Sequence, residues 1–378
     1  MKLRCALGLL SCFGIAEDLP SQALVPMLRV QSELLISPES GDFSFIGSML
    51  VVKGGVIVVT QPQDTGIRFY SKSGDLLGKF GRAGSGPGEF RYVGYLSMIG
   101  DTIWVPDINL RRATLVSQER KFLGTRPLPT TVVFRSPAAG QVTFIDPYPF
   151  AAYADGSVLF RGTTGRASAG LWPPPPREAN ESPFLRVGPD GTVRQIVGWL
   201  PTSQTCDGQS VSIPFCQEPI DAVSADGKRI VFGTSQPGTA SVARLRVTAL
   251  GEWGDTVFSR SVEAPLSRIP GRVIDSTRNA KASRAPNPRA REEILRMRMP
   301  THYPAFERLV AGQDGTVWVE MRSEKDDREW LLLASGGKTL GRVRLPRSVK
   351  IMAASRNQIW GVIENEDGEL GIVRYAVK

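Results

Sequence analysis

Histidine is nearly missing from this chain: His302 is the only one in 378 residues. A site that gathers several imidazoles round a metal is therefore excluded. Cysteine is scarce too, with four in all and no Cys-X-X-Cys pair, so thiolate zinc sites of the usual spacing are excluded as well. Long apolar runs are absent. None approaches the roughly 20 residues needed to span a bilayer as a helix. The glycine-rich run Gly81 to Gly88 has neither a Lys-Ser/Thr pair nor a helix start behind it, because Pro87-Gly88-Glu89-Phe90 leads toward another strand. Nucleotide-binding loops need the helix start and the P-loop the Lys-Ser/Thr pair as well, so the run reads as a turn between repeats.

What is present begins with an export pattern. Lys2 and Arg4 precede an apolar stretch that ends in Gly14-Ile15-Ala16, the arrangement of a signal peptide over residues 1 to 16. Leu9-Leu10-Ser11-Cys12 offers an alternative, a lipobox whose Cys12 would anchor the chain at a membrane surface, although the apolar Phe13 suits it poorly. Past that segment only Cys206 and Cys216 remain. Two cysteines in a polar loop of an exported chain read as a disulfide.

The rest is rich in turns and short apolar runs, with 39 Gly and 28 Pro. Six segments share one pattern, a turn of Gly, Asp or Asn followed by a tight run of β-formers. They are Gly54-Gly55 before VIVV, Gly100-Asp101 before TIWV, Asp155-Gly156 before SVLF, Asp226-Gly227 before KRIVF, Asp314-Gly315 before TVWV and Asn357-Gln358 before IWGV. Trp104, Trp318 and Trp360 occupy the same point in three of them. Runs this short after such turns are strands, and similar strands at intervals imply similar units. A hairpin follows each of the first five, as in RFYSKSGDLLGKF and WLLLASGGKTLGRVRL. With the strand before each run this makes four antiparallel strands per unit, the blade of a β-propeller. The sixth unit runs out of chain after ELGIVRYAVK, one strand short, and Met27 to Ser37 has no unit of its own. That segment is expected to supply the missing strand and close the ring.

The longest interval, before the fifth run, carries Arg268, Arg272, Arg278, Lys281, Arg284, Arg289, Arg291, Arg296 and Arg298 against Glu263, Asp275, Glu292 and Glu293. Much of the formal net charge of +9 lies here. Asn287-Pro288 followed by RAREEILRMRM has the N-cap, the first-position proline and the late arginines of a helix, with Ile294, Leu295 and Arg298 sharing a face. The third interval holds GLWPPPPREAN, an extended polyproline segment.

FYSKSGDLLGKFGRAGSGPGEF and the closing WLLLASGGKTLGRVRLP and IWGVIENEDGELGIVRYAV resemble the bacterial six-bladed β-propeller family related to NHL-repeat proteins. The resemblance spans most of Met27 to Lys378 and is weakest over residues 165 to 300. It implies an all-β, six-bladed ring over residues 17 to 378, to which the residues themselves add a basic helical insertion between blades four and five. It supplies no catalytic residues. Peptidylglycine-lyase-like and streptogramin-lyase-like propellers lean on histidines this chain lacks. A gluconolactonase-like site of Glu, Asn and Asp round a divalent cation stays open by composition, yet no such set stands out at equivalent blade positions. The expected function is accordingly a non-catalytic module, monomeric, with a saccharide, peptide or protein as partner and no nucleic acid. A metal-assisted lactonase or lyase is the alternative. No metal or other cofactor is expected in the first case. Ligand candidates are the loop residues Asp107, Asn109, Arg111, Asp146, Tyr148 and Tyr303, with Arg291, Arg296 and Arg298 on the insertion; His302 reads as a loop histidine.

Overall fold

Local turn chemistry sets the strands. The Asp155 carboxylate accepts hydrogen bonds from the Ser157 N–H (2.9 Å) and hydroxyl (2.6 Å). Asp314 treats Thr316 in the same way (3.2 and 2.6 Å). Asp226 accepts from the Lys228 N–H (3.1 Å) and the Ser224 hydroxyl (2.6 Å). The glycine after each aspartate, Gly156, Gly315 and Gly227, takes a φ of +82°, +79° and +71°, a conformation that a side chain would strain. The Asp-Gly pairs of the repeat are thus tight reversals that start the second strand of a blade.

The computed structural model describes residues 25–37, 42–136, 140–145, 147–162, 167–168, 181–201, 213–323 and 327–378. Six four-stranded antiparallel sheets make up the ring. From the innermost strand outward, blade one is Met49–Val51, Ile57–Gln61, Gly66–Tyr70 and Leu76–Phe80. Blade two is Ser97–Ile99, Thr102–Asp107, Arg112–Val116 and Phe122–Pro127. Blade three is Tyr148–Ala152, Val158–Arg161, Glu181–Val187 and Val193–Pro201. Blade four is Ile220–Val223, Arg229–Gln236, Val242–Gly251 and Thr256–Pro265. Blade five is Phe306–Ala311, Val317–Met321, Asp327–Leu333 and Thr339–Pro346.

Blade six takes Lys350–Ala354, Gln358–Glu364 and Leu370–Val377 from the end of the chain and Val30–Ile36 from its start. Val30 lies opposite Val377 and Ile36 opposite Ile372. Ahead of this strand, the Leu28 N–H donates to the Arg342 carbonyl (2.7 Å) and the Arg342 N–H to the Pro26 carbonyl (2.8 Å). One N-terminal segment therefore stitches blade five to blade six before it closes the ring.

The core lies between the blades. One cluster of buried side chains fills each of the six interfaces. Trp104, Trp318 and Trp360 are 1%, 0% and 5% exposed, and each packs against the following blade. Val58, Leu159 and Val231 hold the same position in the other blades and are wholly buried, so the recurring tryptophan marks a blade-to-blade contact.

Strand alternation also sorts the connections. The turns between first and second strands, and between third and fourth, fall on one face of the ring and are short. Connections between second and third strands, and between blades, fall on the other face, and every long insertion is there. The insertion between blades four and five holds two helices where the sequence suggests one, α1 (Gly271–Ser283) and α2 (Pro288–Arg296). The α2 start is as expected: the Asn287 side chain accepts the Ala290 N–H at 2.8 Å ahead of Pro288. Its expected face is corrected. Leu295 is 40% exposed and Arg298 is exposed beyond the helix end, while Ile294, Met297 and Met299 are the buried residues. Helix α1 has no side-chain cap and buries only Ala282, which is why its sequence carries so little signal. A small sheet of Thr131–Ser136, Gly140–Ile145 and Ala167–Ser168 is a further addition that no repeat announces. Residues 1 to 16, expected to be a signal peptide, the polyproline stretch and Cys206 lie outside the described residues. Among those described, no helix is long and apolar enough to cross a membrane.

Candidate functional site

The innermost strands surround a central cavity of about 350 Å³, to which five of the six strands contribute side chains together with Tyr95 and Leu96 just before the strand of blade two. Its end on the short-turn face is tied across. The Ala225 carbonyl, in a turn of blade four, accepts the Ser97 hydroxyl (2.7 Å) and the Met98 N–H (2.8 Å) of blade two. Gln313 of blade five donates its side-chain amide to the Val51 carbonyl of blade one (2.9 Å) and its N–H to the Ala354 carbonyl of blade six (2.9 Å). These bonds narrow that end, and the opposite end meets the elaborated face.

Two kinds of chemistry meet near the elaborated face. The first is aromatic. Phe150 stands edge-on to Tyr95 (6.1 Å between centroids) and Tyr148 (5.4 Å) and tilts against Phe184 (5.2 Å). Burial pushes the Tyr95 phenol well above its usual range; Tyr148 and Asp221 add to the effect. Burial also raises the Tyr148 phenol, with Tyr92 beside it. Both tyrosines are thus neutral hydrogen-bonding groups at physiological pH.

The second kind is paired charge. Asp221, on the innermost strand of blade four, takes a hydrogen bond from the Arg161 guanidinium of blade three at 2.8 Å, and both are mostly buried. Arg161 also donates to the Ser182 hydroxyl (3.1 Å) and lies over the Phe184 ring. In blade five, Glu320 is 2% exposed and is shared by Arg308 (3.3 Å) and Arg328. Arg308 lies over the Trp330 ring, 5.1 Å from its centroid. Burial lowers the Arg308 pKa from its usual value, and the Glu320 charge opposes that shift. Truncating either partner of such a pair strands a desolvated charge, so these pairs hold the shape of the cavity wall.

The residues singled out from sequence are dispersed over the elaborated face. Asp107 is wholly buried and binds backbone: one carboxylate oxygen accepts the Asn109 and Leu110 N–H groups (3.0 and 2.9 Å), the other those of Arg91 and Tyr92 (2.7 and 3.2 Å). It ties the connection after the glycine-rich run to its own turn. Asn109 and Arg111 are exposed, Arg111 at a φ of +54°. Tyr148 is 37% exposed and belongs to the aromatic group described above. Tyr303 is half-buried beneath the Arg322 guanidinium (3.8 Å) and edge-on to Phe215 (5.4 Å), in a separate hollow of about 510 Å³. Arg291, Arg296 and Arg298 are exposed, with Arg296 paired to Glu292 within α2. Asp146 lies outside the described residues. Cys216 is buried, 3% exposed, against the helical insertion. Arg161 and Glu320 escaped notice in the sequence; their signal is a charged residue at the last or next-to-last position of an otherwise apolar second strand.

Among the described residues, no group of three or more His, Cys, Asp or Glu side chains could hold a metal ion. No family model matches the chain. No curated protein matches it by sequence. Solved structures do. A member of the DUF4221 family from Bacteroides vulgatus matches with a TM-score of 0.50 at 12% identity, over 93% of this chain and 98% of that one. The chain is a six-bladed β-propeller. Two further propeller matches have lower TM-scores at the same 12% identity. A Bacteroides fragilis protein described as exported gives 0.45, over 93% of this chain and 96% of its own. Virginiamycin B lyase from Staphylococcus aureus gives 0.40, over 92% and 99%. At such identity the likeness is one of fold.

Proposed function

We propose that this propeller is an exported, non-catalytic binding module that holds a saccharide, a peptide or a loop of a protein partner where the central cavity meets the elaborated face. The observation that carries this reading is the state of the carboxylates there. Asp221 is engaged by Arg161, and Glu320 by Arg308 and Arg328. Carboxylates neutralised in this way are poor ligands for a divalent cation and poor bases. What remains for a ligand is an aromatic surface, neutral phenols and the backbone edges of the innermost strands, which suits recognition more than turnover. Export is supported by the basic start and apolar run of residues 1 to 16, with a Cys206–Cys216 cross-link as its companion.

Metal analysis of the purified protein, followed by a glycan and peptide array, tests the reading. The expected outcome is no tightly held divalent ion and saturable binding to at least one array class. A stoichiometric ion, together with lactone turnover that a chelator abolishes, would replace the binding module with a metal-assisted enzyme. Protein recovered from its host is expected to begin near Glu17 and to yield a linked Cys206–Cys216 peptide without reduction; a lipid on Cys12 would place it at a membrane surface instead.

A further inference from the structure

The charges round the cavity do not cancel. Arg161 and Asp221 neutralise one another. Glu320 and Glu307, by contrast, are two carboxylates among three guanidinium groups, those of Arg308, Arg322 and Arg328, and the Arg308 Nη2 has no hydrogen-bond acceptor. Lys350, the first residue of the innermost strand of blade six, lines the same cavity, is exposed, and has no ion pair among the described residues. Arg308 and Lys350 stand on neighbouring innermost strands. Across the cavity, the Tyr95 and Phe150 rings present an aromatic surface. The wall between is the unpaired edge of the innermost strands, whose N–H and C=O groups match hydroxyls. A volume of about 350 Å³ lies at the low end for ligand pockets, so the occupant is small.

From this arrangement we propose that the cavity selects an acidic saccharide unit, with its carboxylate held by Lys350 and Arg308 and its ring against Tyr95 and Phe150. The proposal rests on the binding-module reading and narrows it to one ligand class. Surplus positive charge along the cavity wall favours an anion. A carboxylate accepts charge-assisted hydrogen bonds from an ammonium and a guanidinium together. The aromatic faces take the apolar face of a sugar ring while its hydroxyls reach the strand edges.

The test is calorimetric titration of the full mature protein with the disaccharides of galacturonate, glucuronate and mannuronate, each beside its methyl ester. At least one acid is expected to bind at least about tenfold more tightly than its ester, the scale of one charge-assisted hydrogen bond. Lys350→Gln, on an exposed side chain, is expected to lose most of that difference while weakening ester binding far less. Lys350→Arg is expected to restore it in part. Equal binding of acid and ester, an unchanged acid affinity in Lys350→Gln, or no binding of any uronate each overturns the proposal. If no uronate binds but a neutral glycan or peptide does, and a Tyr95→Ala variant loses it, the binding-module reading stands and the acidic ligand falls. Silence on both the uronates and the array removes the two together.

Discussion

Asp107 shows how far one buried carboxylate can organise a loop face. Its four backbone donors come from two connections, Asn109 and Leu110 in its own turn and Arg91 and Tyr92 in the preceding inter-blade loop. Asp107→Ala leaves those N–H groups without their acceptor. At roughly 1–3 kcal/mol for each buried group left unmade, the loss is expected to be at least about 3 kcal/mol, read as a fall in the urea midpoint. An unchanged midpoint would contradict the assignment. Sequence placed Asp107 in the right connection but could not reveal this role, because half of its partners lie some fifteen positions away in another loop. A second residue joins blades three and four on the short-turn face. The Arg186 guanidinium lies between the Tyr153 ring (4.0 Å) and the Trp253 ring (3.9 Å) and donates to Asp155 (3.0 Å) and Ser157 (2.8 Å). Burial alone would raise the Asp155 carboxyl, but the Ser157 hydrogen bonds and Arg186 together hold it below its usual value. A carboxyl depressed on folding adds stability above its unfolded pKa of about 3.9, and that stability fades as pH falls through the lower folded value. The gap in urea midpoint between the wild type and Asp155→Asn is therefore expected to be constant from about pH 5 to 8 and to close below about pH 4. A gap that widens in acid would refute the linkage.

At the scale of the element, the helical insertion packs on the connection before blade four. The insertion buries Ala282 of α1, Ile294 of α2 and, just past it, Met297 and Met299 against Ile213 and Cys216. The two ends of the insertion leave the ring side by side: Arg268 bridges His302, the Ile269 N–H donates to the Thr301 carbonyl (2.9 Å), and the Tyr303 N–H to the Ser267 carbonyl (3.0 Å). The lone histidine is thus a stem residue, and its Nδ1 lies 3.0 Å from the Thr301 hydroxyl. With the stem already closed, replacing residues 271–299 by a short Gly-Ser linker changes little closure entropy. The melting temperature is expected to drop by only a few degrees, checked by circular dichroism; loss of the cooperative transition would show that the ring depends on the helices. Helix α2 was legible because Asn287 and Pro288 write its start into the chain. Helix α1, entered from Pro270 without a side-chain cap, was not.

For the whole molecule, closure is the decisive feature. Val30–Ile36 completes blade six, and Pro26 to Leu28 runs along blade five just before it. Removing residues 17–37 is expected to expose the outer edge of Leu370–Val377 and that of Thr339–Pro346, and so to produce aggregation or a large fall in melting temperature, followed by light scattering and calorimetry. A truncated chain that melts like the full one would mean that the ring does not need its N-terminal strand. This closure could be read from the sequence because a unit short by one strand and a strand without a unit imply each other. The six blades were legible for a related reason: Asp155, Asp226 and Asp314 with their glycines are local chemistry, and local chemistry is encoded by neighbours in the chain. The cavity was not. Tyr95, Phe150, Arg161, Asp221, Arg308 and Lys350 come from five blades, and nothing in their spacing links them. Only the twist and radial packing of the sheets bring them together, since a side chain's position round the ring depends on every blade before it.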